Sequence, residues 1–177
     1  MASEVRTARL LLRRWRPEDA TPMAAINRDP EVTRFLNRPV DDATVRGFHG
    51  AMVAHWEQHG FGAWAVEVAD GEALDGRMIG FVGLAYPPPF LRDVQGRPEL
   101  GWRLARESWG RGYATEAALA ARDDALGRLG ATDLMSIIHP DNERSQSVAR
   151  KLGMHVGFTI HNPLIDRIVD VWEPAAA

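Results

Sequence analysis

The chain has 177 residues, 45% hydrophobic and 25% charged, with a formal net charge of −3. That is one domain by ordinary domain size, with room for a sizeable core, and the lack of a basic excess argues against nucleic acid as the main partner. There is no cysteine, which excludes disulfides, thiolate metal sites and an acyl-cysteine intermediate.

The opening MASEVRTARL has charge where a signal peptide needs an apolar core. No apolar run approaches the roughly 18 residues of a membrane span. A soluble, cytoplasmic protein with no membrane partner is expected. The first predicted element is a strand within residues 5 to 15, its Arg9, Arg13 and Arg14 read as a solvated face. Pro17 starts a helix with Glu18 and Asp19 in its first turn, where the dipole favours acids. It fades near Asn27 to Pro30, and a further helical turn over Glu31 to Leu36 ends at Asn37 to Pro39.

Asp41 and Asp42 open a third helix that runs to Gln58, with an apolar stripe of Phe48, Met52 and Trp56. His55 and His59 are four apart and could chelate a metal, but no Glu follows His55 as the zinc-protease motif requires, so surface histidines and no metal are expected. From Gly60 the period changes to that of a strand, residues 61 to 68. A turn over Asp70 to Gly76 joins it to a second strand, Met78 to Ala85, as a hairpin. Pro87, Pro88 and Pro89 break the sheet, and the loop Tyr86 to Pro98 is a candidate wall for a substrate.

The next stretch organises the chain. A strand, Leu100 to Leu104, turns through Arg106 to Trp109, passes Gly110 and Gly112, and becomes a helix that reaches about Leu129. Glycines allow close backbone approach, and the first helical N–H groups lack partners and carry the positive end of the dipole. That combination is an anion site, suited to a phosphate or pyrophosphate. A P-loop would need Lys and then Ser or Thr after its last glycine, but Tyr113 follows Gly112. A dinucleotide fingerprint would have Thr115 at its third glycine, with Asp133 as an acid at the start rather than the end of the next strand. An ordinary glycine turn is the third reading, which G-x-G alone does not separate.

Ala114, Ala117, Ala118, Ala121 and Ala125 let the long helix pack closely on a sheet. Leu134 to Ile138 is a strand, ended by His139-Pro140-Asp141. A helix from Glu143 to Leu152 stops at Gly153. On it, Asn142, Ser145, Ala149 and Leu152 share a face whose polar end is N-terminal. Met154 to Ile160 and Arg167 to Trp172 are a last strand pair, and Glu173 to Ala177 a loose tail.

The segment GWRLARESWGRGYATEAALAA resembles the acetyl-CoA-binding motif of the GNAT superfamily of N-acetyltransferases. The family's loop pattern is Gln/Arg-x-x-Gly-x-Gly/Ala, and here Glu107, Gly110 and Gly112 hold its positions, so the first is atypical. WGRGYATEA, Trp109 to Ala117, is similar to the RimJ/RimL-type form W-G-x-G-Y-A-T-E-A. Asn142, Ser145, Lys151, Leu152 and Gly153 match the pattern N-x-x-S-x-x-x-x-x-K-L-G-F, with Met154 for the Phe, and TARLLLRRWRPEDA resembles that branch's opening.

The resemblance implies one α+β (α/β) domain over residues 1 to 177. Its mixed, mostly antiparallel sheet of about seven strands would splay at the cofactor cleft and be flanked by helices. It implies that Leu104 and Ala105 bond the pantetheine arm through their backbone, one N–H polarising the thioester carbonyl. The backbone of Trp109, Gly110, Arg111, Gly112, Tyr113, Ala114 and Thr115 would hold the pyrophosphate, with charge added by Arg106 and Arg111. Asn142 would face the cofactor. Glu99 is the expected base for the amine, through water, and Ser145 the donor to the departing thiolate, with helix capping the alternative for Ser145 and Asn142. The implied activity is direct acetyl transfer from acetyl-CoA to an amine, a protein N-terminus or a small molecule, with no metal, by a monomer or homodimer. A non-catalytic acyl-CoA-binding sensor would need the loop but neither Glu99 nor Ser145. The acceptor would be chosen by the first helices, the loop from Tyr86 to Pro98 and the last strands, and Asp93 and Glu99 could attract a cationic amine.

Overall fold

A computed structural model describes residues 1–36, 42–71, 73–163 and 166–175. The chain forms β1 (Glu4–Arg6), β2 (Leu10–Arg13), α1 (Ala20–Arg28), α2 (Pro30–Thr33), α3 (Asp42–His59), β3 (Ala63–Val68), β4 (Met78–Ala85) and β5 (Glu99–Leu104). Then come α4 (Tyr113–Asp124), β6 (Ser136–Ile138), α5 (Glu143–Lys151), β7 (Met154–Asn162) and β8 (Arg167–Pro174). Five strands form one sheet in the order β1-β2-β3-β4-β5, and three form another in the order β6-β8-β7. All pairings within the two sheets are antiparallel.

The sheets join at one parallel bridge, Glu99 to Met135. Leu100 N–H donates to Met135 O at 2.7 Å, Met135 N–H to Pro98 O at 3.2 Å, and the Ser136 hydroxyl to Leu100 O at 2.7 Å. Beyond that point β5 and β6 part. The architecture is the expected mostly antiparallel α+β one, with eight strands in two sheets among the described residues where about seven in one were expected. The stretch read as one strand over residues 5 to 15 is a hairpin, because the Thr7 side chain takes the Leu10 N–H and closes a turn.

The core covers both faces of β3, where adjacent Trp64 and Ala65 are fully buried. Ala117, Ala118, Ala121 and Ala125 are fully buried against Val82, Leu84, Leu100 and Leu104, so small side chains bring α4 onto the sheet as their spacing suggested. Trp56, Trp64 and Trp172 are core residues. Trp15 and Trp56 both donate their indole N–H to Ala63 O, at 2.8 and 2.7 Å, so these buried rings keep their polar atoms satisfied.

Arg9 and Arg13 are not the solvated face that was expected. Arg13 is buried, held bidentately by Asp19 at 2.7 and 2.9 Å and by Glu67 at 2.7 Å. Burial of an arginine is tolerated only with such pairing. Arg9 reaches across to α4. The helix expected at Pro17 begins there as a 3₁₀ turn, and the α4 helix reaches Leu129 as expected, through a π-helical turn. One end moved: β8 takes in Glu173 and Pro174 from the expected tail. Glu173 is fixed by Arg97 at 3.0 Å. Asn37 to Pro39 and Asp41, expected to end one helix and open the next, lie outside the described residues.

Candidate active site

The turn after β5 is built by its own side chains. The Ser108 hydroxyl donates to Ala105 O at 2.6 Å and the Trp109 indole N–H to Leu104 O at 2.9 Å. Gly110 and Gly112 then take left-handed φ of 76° and 82°. A side chain disfavours that region, whereas glycine enters it freely. Gly112 caps α4 without any side-chain hydrogen bond, so the first amides of α4 face outward for an anion. A Cβ on Gly110 would meet nothing within 4 Å, so the surface over the turn is open.

The turn is braced from behind. Glu116, in the first turn of α4, accepts from Arg9 N–H at 2.9 Å, Arg9 Nε at 2.8 Å and the Thr7 hydroxyl at 2.6 Å. Arg9 Nη1 donates to Arg111 O at 2.9 Å. Tyr113 is buried, its hydroxyl donating to Asp70, so only its backbone remains for a ligand. Arg106 is tethered to Asp29 at 3.1 Å. Arg111 lies behind the turn, in a polar pocket of about 510 Å³ shared with Arg9 and Asp70. Cationic charge at the front comes instead from Arg144, stacked 4.2 Å over the Trp109 ring, and Lys151, which lines the cleft.

That cleft, of about 480 Å³, opens where β5 and β6 part. It is lined by Leu104, Trp109, Gly110, Gly112, Ala114 and Thr115 on one side and by Asn142 and Ser145 on the other, with Phe35 and Leu36 after α2 as a further wall. Ala105 N–H donates to Ile79 O at 2.8 Å, and its carbonyl accepts both Ser108 N–H and the Ser108 hydroxyl. Ala105 therefore has no backbone group left for the pantetheine arm. Because strand residues alternate in direction, and Ala105 pairs toward β4, the Leu104 and Trp102 amides point toward β6 and into the gap.

Asn142 does cap α5, its Oδ1 accepting Ser145 N–H at 3.2 Å. Both residues line the cleft, and the cap uses neither the Asn142 amide N–H₂ nor the Ser145 hydroxyl. Glu99 is not part of the cleft lining. It stands at the closed end, where β5 still bridges β6. Burial pushes its carboxyl up to about 7, against the opposing pull of the Ile137 N–H and the Arg103 charge. Arg103, on the same face, donates to Asn27 Oδ1 at 2.6 Å and lies 5.4 Å over Phe48 and Phe81. Between Glu99 and Arg103 sits Gly101, where a Cβ would meet nothing nearer than Phe81 at 4.0 Å.

The Arg9–Glu116 clamp, the Arg144–Trp109 stack and the Phe35 wall were missed. Only the clamp had a signal in the sequence, an acid in the first turn of a helix whose anion site would repel it unless a cation answered. His55 has both ring nitrogens taken by backbone groups, Phe61 O at 3.0 Å and Tyr86 N–H at 3.2 Å. Among the described residues there is no group of three His, Cys, Asp or Glu able to hold a metal. None of the helices there is long and apolar enough to cross a membrane.

Residues 9–155 match the family described as "Acetyltransferase (GNAT) domain". The chain is 30% identical over 155 residues to the uncharacterized protein YkkB of Bacillus subtilis (strain 168), covering 87% of this chain and 86% of YkkB. An acetyltransferase structure from Agrobacterium tumefaciens str. C58 superposes with a TM-score of 0.80 at 30% identity, over 97% of this chain and 94% of that one. A spermidine N-acetyltransferase from Vibrio cholerae, in complex with CoA and spermine, shares the fold at a TM-score of 0.73 and 16% identity, over 94% and 95% of the two chains. The chain belongs to the GNAT acetyltransferase family.

Proposed function

We propose that this chain is one RimJ/RimL-like acetyltransferase domain that moves an acetyl group from acetyl-CoA directly to a primary amine in a ternary complex. The acceptor is a protein N-terminus or a small amine. The observation that carries this reading is the parting of β5 and β6 beneath the glycine turn, with the Leu104 amide aimed into the gap opposite Ser145. The gap, the turn and the outward amides of α4 fit acetyl-CoA, which supplies an activated thioester acyl group when bound.

The roles follow from placement. The backbone from Trp109 to Thr115 holds the diphosphate, supported by Arg144 and Lys151. Leu104 N–H donates to the thioester carbonyl oxygen, a donor fixed by the strand and so spared reorganisation. Glu99, with its proton affinity raised to about 7 by burial, takes the proton from the incoming ammonium through water. The Asn142 amide and Ser145 hydroxyl steady the sulfur as it gains charge. With no cysteine to carry an acyl group, direct transfer is the available route.

The test is calorimetric titration with acetyl-CoA, followed by a thiol-release screen over amines and N-terminal peptides. Binding near one equivalent with thiol release on an amine is expected. No binding would overturn the reading of the glycine turn. Tight binding with no release on any amine would overturn the assigned acceptor chemistry.

A further inference from the structure

We propose that His55 is a positioning residue for the acceptor side of the site, holding the start of the loop from Tyr86 to Pro98 beside Glu99. The inference rests on the proposed amine acetylation. It begins from the ring's two contacts. Tyr86 N–H can only donate, so His55 Nε2, 3.2 Å away, must accept. The ring proton is then on Nδ1, which donates to Phe61 O at 3.0 Å. A single neutral tautomer satisfies both bonds.

These bonds tie three elements at one point: α3, the turn into β3, and the first residue after β4. Their location matters for chemistry. Ala85, which precedes Tyr86, is the cross-strand partner of Glu99. The loop therefore leaves the sheet at Ala85 and returns to it at Glu99. Met135 fixes the return end through its N–H to Pro98 O at 3.2 Å, and His55 fixes the departure.

The loop's interior is tied to itself, the Gln95 side chain donating to Pro88 O and Leu91 O at 3.0 and 2.9 Å. It then behaves as one piece hung on two hinges. Around the first hinge the rings of His59, Phe61 and Tyr86 lie 5.1 to 5.8 Å apart. Tyr86 keeps 41% of its surface exposed, which leaves a ring edge for an acceptor approaching Glu99. Helix α3 passes over this face, Phe48 meeting Phe81 and His55, two turns later, meeting Tyr86.

The two bonds can be separated by substitution. In His55→Asn the amide nitrogen overlies Nδ1 and keeps the donation to Phe61 O, but nothing accepts from Tyr86. In His55→Gln the carbonyl oxygen reaches the Nε2 position and accepts from Tyr86 N–H. One measurement is steady-state kinetics with the best amine from the screen. The other is amide hydrogen exchange at Tyr86 in the absence of any substrate.

Expected for H55N is an amine KM raised about three- to tenfold, as loss of one hydrogen bond implies. Its KM for acetyl-CoA should be unchanged, and Tyr86 exchange should be faster. H55Q should stay within about twofold of wild type in all three. Equal behaviour of H55N and H55Q, or a parallel rise in the acetyl-CoA KM, would overturn the proposal. If wild type acetylates no amine, the failure is that of the proposed function. Exchange at Tyr86 then judges the latch alone: faster in H55N but not H55Q supports it, and unchanged in both overturns it.

Discussion

Glu99 sits where stability and chemistry pull in opposite directions. Its carboxyl is raised from an ordinary 4.5 to about 7 because burial disfavours the anion more than Ile137 N–H and Arg103 favour it. The folded state thus holds the proton more tightly than the unfolded one. The neutral form's stability is fully present below about 4.5 and is lost as pH rises through about 7, at up to about 1.4 kcal/mol per pH unit between them. Base catalysis needs the anion, so the rate rises over the same upper range. Glu99→Gln, which is always neutral, should cut turnover by about a hundredfold or more. It should leave acetyl-CoA affinity within about twofold, and melt above wild type at pH 8 but not at pH 4. Thermal melts at the two pH values and a pH–rate profile check this. A wild-type rate that does not rise near pH 7, or equal loss of affinity and turnover in the variant, would remove the base assignment. Glu99 was readable from its place before the strand, but its carboxyl's environment was not. The Ile137 N–H that it accepts comes from a strand 38 positions away, and only the fold brings it there.

At the scale of elements, the glycine turn and the start of β5 make separable contributions. Gly112 holds φ of 82°, with Arg9 Nη2 3.4 Å from where a Cβ would stand. Gly112→Val forces a β-branched residue into the left-handed region, at a cost of about 1–3 kcal/mol. It should raise the acetyl-CoA Kd at least about tenfold by calorimetry. Gly101→Leu is different: its backbone is ordinary and its space open, so the protein should fold. The new side chain would cover the face beside Glu99, raising the amine KM without changing acetyl-CoA binding. A matching loss of cofactor affinity would mean that this face is not the acceptor's. The local pattern predicted the strand, the turn and both following helices within a few residues, because strand–glycine–helix grammar and alanine spacing are local. It misplaced Ala105, whose N–H goes to Ile79, since which edge of a strand an amide faces depends on the partner's register. Arg13 was misread for the same reason, whereas Arg14 is exposed as expected. Arg13 has the period of a surface residue, and only its meeting with Asp19 and Glu67 explains its burial.

For the whole molecule, the cleft exists because two sheets touch at one bridge and then diverge. Arg97 ties the two sheets together beside that bridge. It stands in the loop before β5 and pairs with Asp133 before β6 at 2.7 Å and with Glu173 on β8 at 3.0 Å. It is mostly buried, so its ion pairs are screened less than surface ones. Arg97→Ala removes the cation that Glu173, itself partly buried, pairs with at 3.0 Å. Destabilisation of about 1–3 kcal/mol is expected, a fall in Tm of several degrees for a chain of this size. Acetyl-CoA contacts both sides of the cleft in the proposed complex and should restore much of that. Ligand at a hundred times its Kd adds about 2.7 kcal/mol to the folded state. If Arg97 sets the cleft's width, R97A should also bind acetyl-CoA several-fold more weakly, and its Tm gain at a fixed ligand concentration should be smaller than wild type's. An unchanged gain with a lower starting Tm would instead make Arg97 a stabilising staple with no influence on the site. Differential scanning calorimetry with and without acetyl-CoA separates the two.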